Sequence, residues 1–216
     1  MGSTEATADV RHGFFARVYP SIARFEEKQG GAEHRRELLA GLSGRVAEVG
    51  AGHGINFGYY PGSVTEVVAV EPEPRLRAMA EDAAVRAPVP VRVVPGTAAA
   101  LPLDTGSCDA VVMSLVLCSL PDLDRAFAET RRVLRTGGEL RFYEHVRSAR
   151  PWAARLQQTA DLVWPRLAGG CHLARDTGAS IRGAGFEITS VRRFSFSGLP
   201  HLLGTAVPAG PGGAST

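Results

Sequence analysis

Residues 46–54 read VAEVGAGHG, a short apolar strand running straight into a loop with glycine at every second position, Gly50, Gly52 and Gly54. Glycine is required where backbone passes so close to a ligand that a Cβ would collide, and where φ is positive. Working outward, strand-like runs appear at residues 45–49, 66–71, 91–94, 109–114 and 139–145, mostly valine-rich and bounded by Gly, Pro or Asp. Helical patterns fall between them at 74–86 and 122–134, the second stopped by Gly137 and Gly138. Two more helical stretches, 10–19 and 33–42, precede the first strand. An insertion at 151–182 follows the fifth, and strand-like runs at 186–194 and 202–207 close the chain.

Alternating strands and helices predict an α/β fold: a Rossmann-like, seven-stranded, mostly parallel sheet with helices on both faces, its last strand added as a hairpin. With 216 residues, 44% of them hydrophobic and 21% charged, the whole chain, 1–216, reads as one domain. Residues 1–8 and 209–216 are small, polar or Gly/Pro-rich, and are expected to be poorly ordered tails. The net charge is only +2, and the nearest basic cluster, Arg131, Arg132 and Arg135, lies on a predicted helix as a solvated face. No nucleic-acid partner is expected. Without a signal peptide or eighteen consecutive apolar residues, neither secretion nor a transmembrane segment is expected.

Seventeen residues beyond Gly54 the second strand ends in Glu71, where a carboxylate can accept both hydroxyl hydrogens of a ribose. A dinucleotide fingerprint needs GxGxxG, but this loop is GxGxG, with Ile55 at the third dinucleotide glycine. Glu48, two residues before the loop, suits the positively charged amino end of S-adenosylmethionine (SAM). SAM is therefore the expected cofactor and S-adenosylhomocysteine its product. In an open α/β sheet ligands sit at the carboxyl ends of strands, near the switch point between the first strand and the fourth. That places Thr97 and Ala98 at the adenine edge and Ser114 and Leu115 beside the methyl group. Tyr19, Asn56 and Pro72 complete the candidate cofactor set.

Candidate catalytic groups are Glu144 and His145, at the end of the fifth strand, and His172 with Asp176, four apart and so on one face if helical. Trp152, Phe14, Phe15, Tyr19 and Trp164 offer rings to wall an apolar substrate cavity. Three cysteines, Cys108, Cys118 and Cys171, with no CxxC pair, fit neither a disulfide framework nor a zinc site; a reducing cytoplasm is the simplest location. Cys118 reads as core. Cys171 adjoins His172, but the sequence places no further ligands there, and no metal is assigned.

The segments EVGAGHGINFGYYP (48–61), VVMSLVLCSLPD (111–122), RVLRTGGELRFYEHV (132–146), GGCHLARDT (169–177) and PHLLGTAV (200–207) resemble the class I SAM-dependent methyltransferases, in the branch that includes thiol S-methyltransferases. The resemblance covers about residues 10 to 208. It implies that Gly50, Gly52 and Gly54 form the cofactor loop, that Glu71 binds the ribose and that Leu115 lies near the sulfonium. The chain departs from the pattern at His53, where Thr is usual, and in lacking an acidic residue after Gly96. It also lacks the hydrophobic N-terminal anchor of membrane-associated relatives, so membrane residence is not expected.

The resemblance favours S-methylation of a small-molecule thiol, in secondary metabolism or detoxification. N-methylation of an amine or phospholipid head group competes with it, as does O- or C-methylation of a quinone-like ring. Other classes are a SAM-fold binding protein without activity and a nicotinamide oxidoreductase; the intact glycines and Glu71 oppose the first, and the GxGxG spacing the second.

Overall fold

A computed structural model describes residues 15–210. The expected tail at 1–8, residues 211–216 of the expected tail at 209–216, and residues 10–14 of the first helical stretch lie outside the described residues. Among the described residues there are seven strands: β1 (Gly44–Val49), β2 (Val64–Val70), β3 (Val91–Val94), β4 (Cys108–Ser114), β5 (Leu134–His145), β6 (Phe186–Phe196) and β7 (Leu199–Pro208). They form one sheet in the order β3-β2-β1-β4-β5-β7-β6. β1 to β5 pair in parallel, and β7 runs antiparallel to both β5 and β6. From β1 the chain moves outward through β2 and β3, then returns to β4 on the other side of β1. Connections on the two sides leave the sheet in opposite directions, and a crevice opens between the ends of β1 and β4.

Alternate strand residues feed two cores, because successive side chains point to opposite faces. On one face Val46, Val67, Ala69 and Val112 pack with Leu38 and Leu39 of α2 (Ala32–Leu39) and Ala80 of α3 (Pro74–Ala84). On the other, Ala47, Val68, Val111 and Met113 pack with Phe127 and Val133 of α4 (Leu123–Val133) and Ile181 of α7 (Thr177–Gly183). Helices thus cover both faces.

The helix starts follow local chemistry. α3 begins with Pro74, whose missing N–H costs nothing in the first turn, and the Glu73 carboxylate accepts from Leu76 N at 2.7 Å. Asp122 caps α4 by accepting from Arg125 N at 2.9 Å. Gly137 and Gly138 do not follow a gap after this helix. β5 starts at once with Leu134, which pairs with Cys108, and the register shifts before Ala110 meets Glu139. The glycines therefore sit inside the long strand, where burial of Leu134 outweighs their preference for a turn. The helical stretch ahead of β1 is longer than its pattern predicts. α1 (Phe15–Glu26) is joined to α2 through Glu27–Gly31, where the chain kinks at Gly30, φ 115°. The insertion folds as α5 (Pro151–Ala160), α6 (Trp164–Leu167) and the connection to α7.

Candidate functional site

The crevice holds a cavity of about 530 Å³. Its wall includes Gly50 and Gly52 from the loop after β1, Glu71, Pro72 and Glu73 after β2, and Gly96–Ala99 after β3. Ser114 ends β4, Leu115 and Val116 follow it, Ser119–Asp122 lie further on, and Tyr19 comes from α1, ahead of β1. Apart from Tyr19, Leu76 of α3, Gly169 and Gly170, the wall comes from the carboxyl ends of parallel strands and the segments that follow them.

The glycine loop is shaped by close approach. Gly50 has φ 68°, and a Cβ there would stand 2.6 Å from Val116 Cγ2, so the loops after β1 and β4 touch only because the residue is bare. Gly52 has φ 58° and faces the cavity, its nearest neighbour being the Tyr19 ring. The N–H of Gly52 donates to Glu71 Oε2 at 2.8 Å, and that of Glu73 donates to Oε1 at 2.9 Å. The Glu71 carboxylate is thus held rigidly at the wall. Burial raises its pKa, opposed by these two amide bonds. Each carboxylate oxygen keeps a second lone pair for a ligand hydroxyl.

Nine residues of the candidate cofactor set line this cavity: Tyr19, Gly50, Gly52, Glu71, Pro72, Thr97, Ala98, Ser114 and Leu115. Leu115 takes a left-handed φ of 58°, and its N–H donates to Tyr143 O at 2.7 Å, turning the chain across the end of β4. Gly54, Glu48 and Asn56 stand elsewhere. A Cβ on Gly54 would meet Phe57 at 2.6 Å and Ala83 at 2.9 Å, so this glycine serves packing of the loop on α3. Glu48, expected at the amino end of the cofactor, is buried behind the loop. Its carboxylate accepts from Asn56 Nδ2 at 2.8 Å and from the Tyr60 hydroxyl at 2.7 Å. Asn56 in turn accepts from Arg35 Nη1 at 2.8 Å. Buried Arg35 also pairs with Glu27 at 2.9 Å and reaches Ser114 Oγ at 3.4 Å, tying α2 to the end of β4. Periodicity carries no sign of this network, because its members come from five segments: Glu27–Gly31, α2, β1, the stretch from Asn56 to Tyr60, and β4.

Burial pushes Glu48 up to about 7, against the lowering effect of its bonds to Tyr60 and Asn56. A carboxyl whose folded pKa lies above its ordinary 4.5 favours the fold fully below that value and loses the contribution as pH rises through about 7. Stability should therefore decline between about pH 4.5 and 7 by up to about 3 kcal/mol from this group. Glu48→Gln, which offers Tyr60 a donor and Asn56 an acceptor, should flatten that decline in denaturant melts. An equal slope in the variant removes Glu48 as its source.

The four candidate catalytic residues, Glu144, His145, His172 and Asp176, do not line the cavity. Glu144 is fully buried, and its carboxylate accepts from the backbone N–H groups of Val116, Leu117 and Cys118 at 2.7, 2.8 and 3.3 Å. Burial pushes it up to about 7, with the three amides acting in the opposite sense. It braces the turn after β4 and does not reach the cavity wall. His172 and Asp176 do not form a pair, because residues 171–176 are not helical. The side chain of Asp176 caps α7, accepting from Ala179 N at 3.0 Å, and His172 is half-buried, with Nδ1 3.9 Å from Asp161. His145 instead meets Cys171, Nε2 to Sγ at 2.8 Å, while its Nδ1 is buried without a partner among the described residues. Burial lowers the His145 pKa, but the bond to Cys171 and its charge more than offset this and the net shift is upward. The Cys171 thiol is lowered, first by a hydrogen bond from Cys118 and then by His145.

Of the candidate rings among the described residues, only Tyr19 is on the wall. Trp152 and Trp164 are 62% and 40% exposed, on α5 and at the start of α6. Phe14 lies outside the described residues, as does the side chain of Phe15. His53, the departure in the glycine loop, meets Tyr19 edge-on at 5.5 Å. Burial lowers it to about 4, aided by the charges of Arg35 and Arg24, so it stays neutral near pH 7. Sequence reasoning missed Val116, Leu120, Pro121 and Gly170 on the wall; their only signal was membership of the quoted 111–122 and 169–177 segments.

Residues 47–142 match a family described as a methyltransferase domain. Among curated proteins, human thiol S-methyltransferase TMT1B is 37% identical over 184 residues, covering 78% of this chain and 73% of that protein. Human thiol S-methyltransferase TMT1A is 33% identical over 195 residues, covering 82% and 79%. Among solved structures, a putative methyltransferase from Bacillus halodurans superposes with a TM-score of 0.69 at 15% identity, over 82% of this chain and 98% of that one.

Proposed function

Because the chain belongs to the SAM-dependent methyltransferase family that includes the thiol S-methyltransferases, we propose that it transfers the methyl group of SAM to the sulfur of a small-molecule thiol. The observation that carries this reading is the identity to thiol S-methyltransferases, 37% over 78% of the chain. The site is compatible with it. Methyl transfer is an in-line displacement: the acceptor sulfur forms the new S–C bond, the sulfonium S–CH3 bond breaks, and its electron pair stays on the departing S-adenosylhomocysteine. A thiolate and a sulfonium neutralise each other as this proceeds, so alignment in a desolvated, largely apolar cavity is the main requirement. A hydroxyl acceptor would want a general base. Glu144, the strongest such candidate on β5, has its carboxylate engaged by three backbone amides. A thiol already supplies a few per cent of thiolate near neutral pH.

In this reading Gly50, Gly52 and Glu71 hold the methionine and ribose portions of SAM, Thr97 and Ala98 meet the adenine, and Ser114 and Leu115 flank the methyl group. The insertion supplies the acceptor side through Gly169 and Gly170, and the whole chain acts as a single domain. No nucleic acid takes part, and three free cysteines suit a reducing cytoplasm. Among the described residues no helix is long and apolar enough to cross a membrane.

Incubating the protein with SAM and a panel of thiols, amines and phenols, read by mass gain of a methyl group, tests the proposal. S-methylated products are expected. Turnover confined to amines or phenols would shift the acceptor class. Tight binding of S-adenosylhomocysteine with no turnover on any acceptor would overturn the thiol reading.

A further inference from the structure

Cys118, His145 and Cys171 come from three separate stretches: the turn after β4, the last residue of β5 and the connection between α6 and α7. One potential ligand atom from each lies within 4.8 Å of the other two. The backbone brings them together independently of the side chains. His172 N donates to Cys118 O at 2.9 Å, and Arg175 Nη1 donates to Leu117 O and Leu120 O at 2.5 and 2.8 Å, clamping the Cys171 segment onto the Cys118 turn. Gly170, with φ 88°, lets that segment approach Ser119 O, to which an added Cβ would come within 3.1 Å.

We propose that Cys118, His145 and Cys171 are the protein ligands of a zinc ion, in a Cys2His site with one coordination position left open. Two sulfurs and an imidazole are the soft and borderline donors that select zinc over magnesium or calcium, and three protein ligands plus an open position is a recurrent zinc arrangement. With Zn–S near 2.3 Å and Zn–N near 2.0–2.1 Å, tetrahedral ligand atoms stand roughly 3.5–3.8 Å apart. The 2.8 Å His145–Cys171 pair therefore opens by less than about 1 Å to admit the ion. Nearby carboxylates are committed elsewhere. Asp161 accepts from Leu173 N and Ala174 N, and Glu144 accepts from three amides, so neither supplies a fourth ligand. The His172 next to Cys171 is turned to Asp161 instead. This is why adjacency in sequence pointed to no site: the ligands are brought in from β4 and β5.

The inference does not depend on which acceptor is methylated, and its test is read without turnover. The full chain, kept reduced with a phosphine and stripped with a chelator, is titrated with zinc and, separately, with cobalt(II). The wild type should take up a single zinc ion, melt at a higher temperature with zinc than without, and give cobalt(II) an intense near-ultraviolet thiolate charge-transfer band with tetrahedral visible bands. Cys171→Ser and His145→Gln, both outside the packed centre of the sheet, should weaken zinc binding by more than the ~10–100-fold that outer-shell changes cost. Both should also abolish the thermal shift, their own unliganded melts reporting whether they fold. No charge-transfer band in the wild type, or zinc binding unaltered in the two folded variants, overturns the site.

Discussion

Gly52→Val is expected to lower SAM affinity at least ~100-fold while leaving a folded protein. Gly52 has φ 58°, a conformation that costs an L-residue roughly 1–2 kcal/mol, and its α-carbon faces the cavity. A first Cβ would stand 3.2 Å from the Tyr19 ring, and the two methyl groups of valine would project into the volume a ligand must occupy. The position separates ligand exclusion from misfolding better than its neighbours do. At Gly50 a Cβ would stand 2.6 Å from Val116, and at Gly54 it would stand 2.6 Å from Phe57, so substitutions there disturb protein packing first. Calorimetric titration with SAM, paired with a thermal melt, reads both quantities. A folded variant with wild-type affinity would mean that the bare backbone at Gly52 does not face the cofactor.

Glu71→Ala is expected to weaken SAM binding by about 2–4 kcal/mol, or roughly 30- to 1,000-fold. Two losses combine. The proposed charge-assisted bonds to the ribose hydroxyls disappear, and the Gly52 and Glu73 amides lose the acceptor that holds them 2.8 and 2.9 Å from the carboxylate. Glu71→Gln separates these losses, because an amide retains one carbonyl oxygen for a backbone donor but not the charge. Its affinity should fall between those of the wild type and the alanine variant. An equilibrium titration in which alanine binds as tightly as glutamate removes Glu71 from the ribose role.

The parts of this fold legible in the sequence were those fixed by local rules. Valine-rich runs of period two between helical patterns specified the strands, and β3 coincides with its predicted span, 91–94. The glycine loop was legible because positive φ and close approach exclude other residues, which leaves a visible spacing. The place of Glu71 on the cavity wall was legible because it follows directly on the end of a strand. Boundaries were less so: β5 begins at Leu134 rather than near 139, since pairing with β4 and burial of Leu134 override the glycines at 137 and 138.

The chemistry around the cavity depended on contacts that no spacing encodes. Glu48 and Asn56 sit near the loop in sequence, but Tyr60 and Arg35 draw their side chains into the core. Glu144 looked like a base at the end of a strand, yet the turn after β4 folds around it because a buried carboxylate must find donors, and three amides were within reach. His172 and Asp176 would meet only on a helix, and the chain there is irregular. By itself, then, the sequence determined the sheet, the bare loop and the carboxylate one strand over, because backbone sterics and hydrophobic periodicity act between near neighbours. Tertiary structure alone decided which acidic groups face the cavity and which histidine meets the cysteines. Burial and hydrogen bonding assign a polar side chain its partner from whatever the fold brings beside it, however far away in the chain.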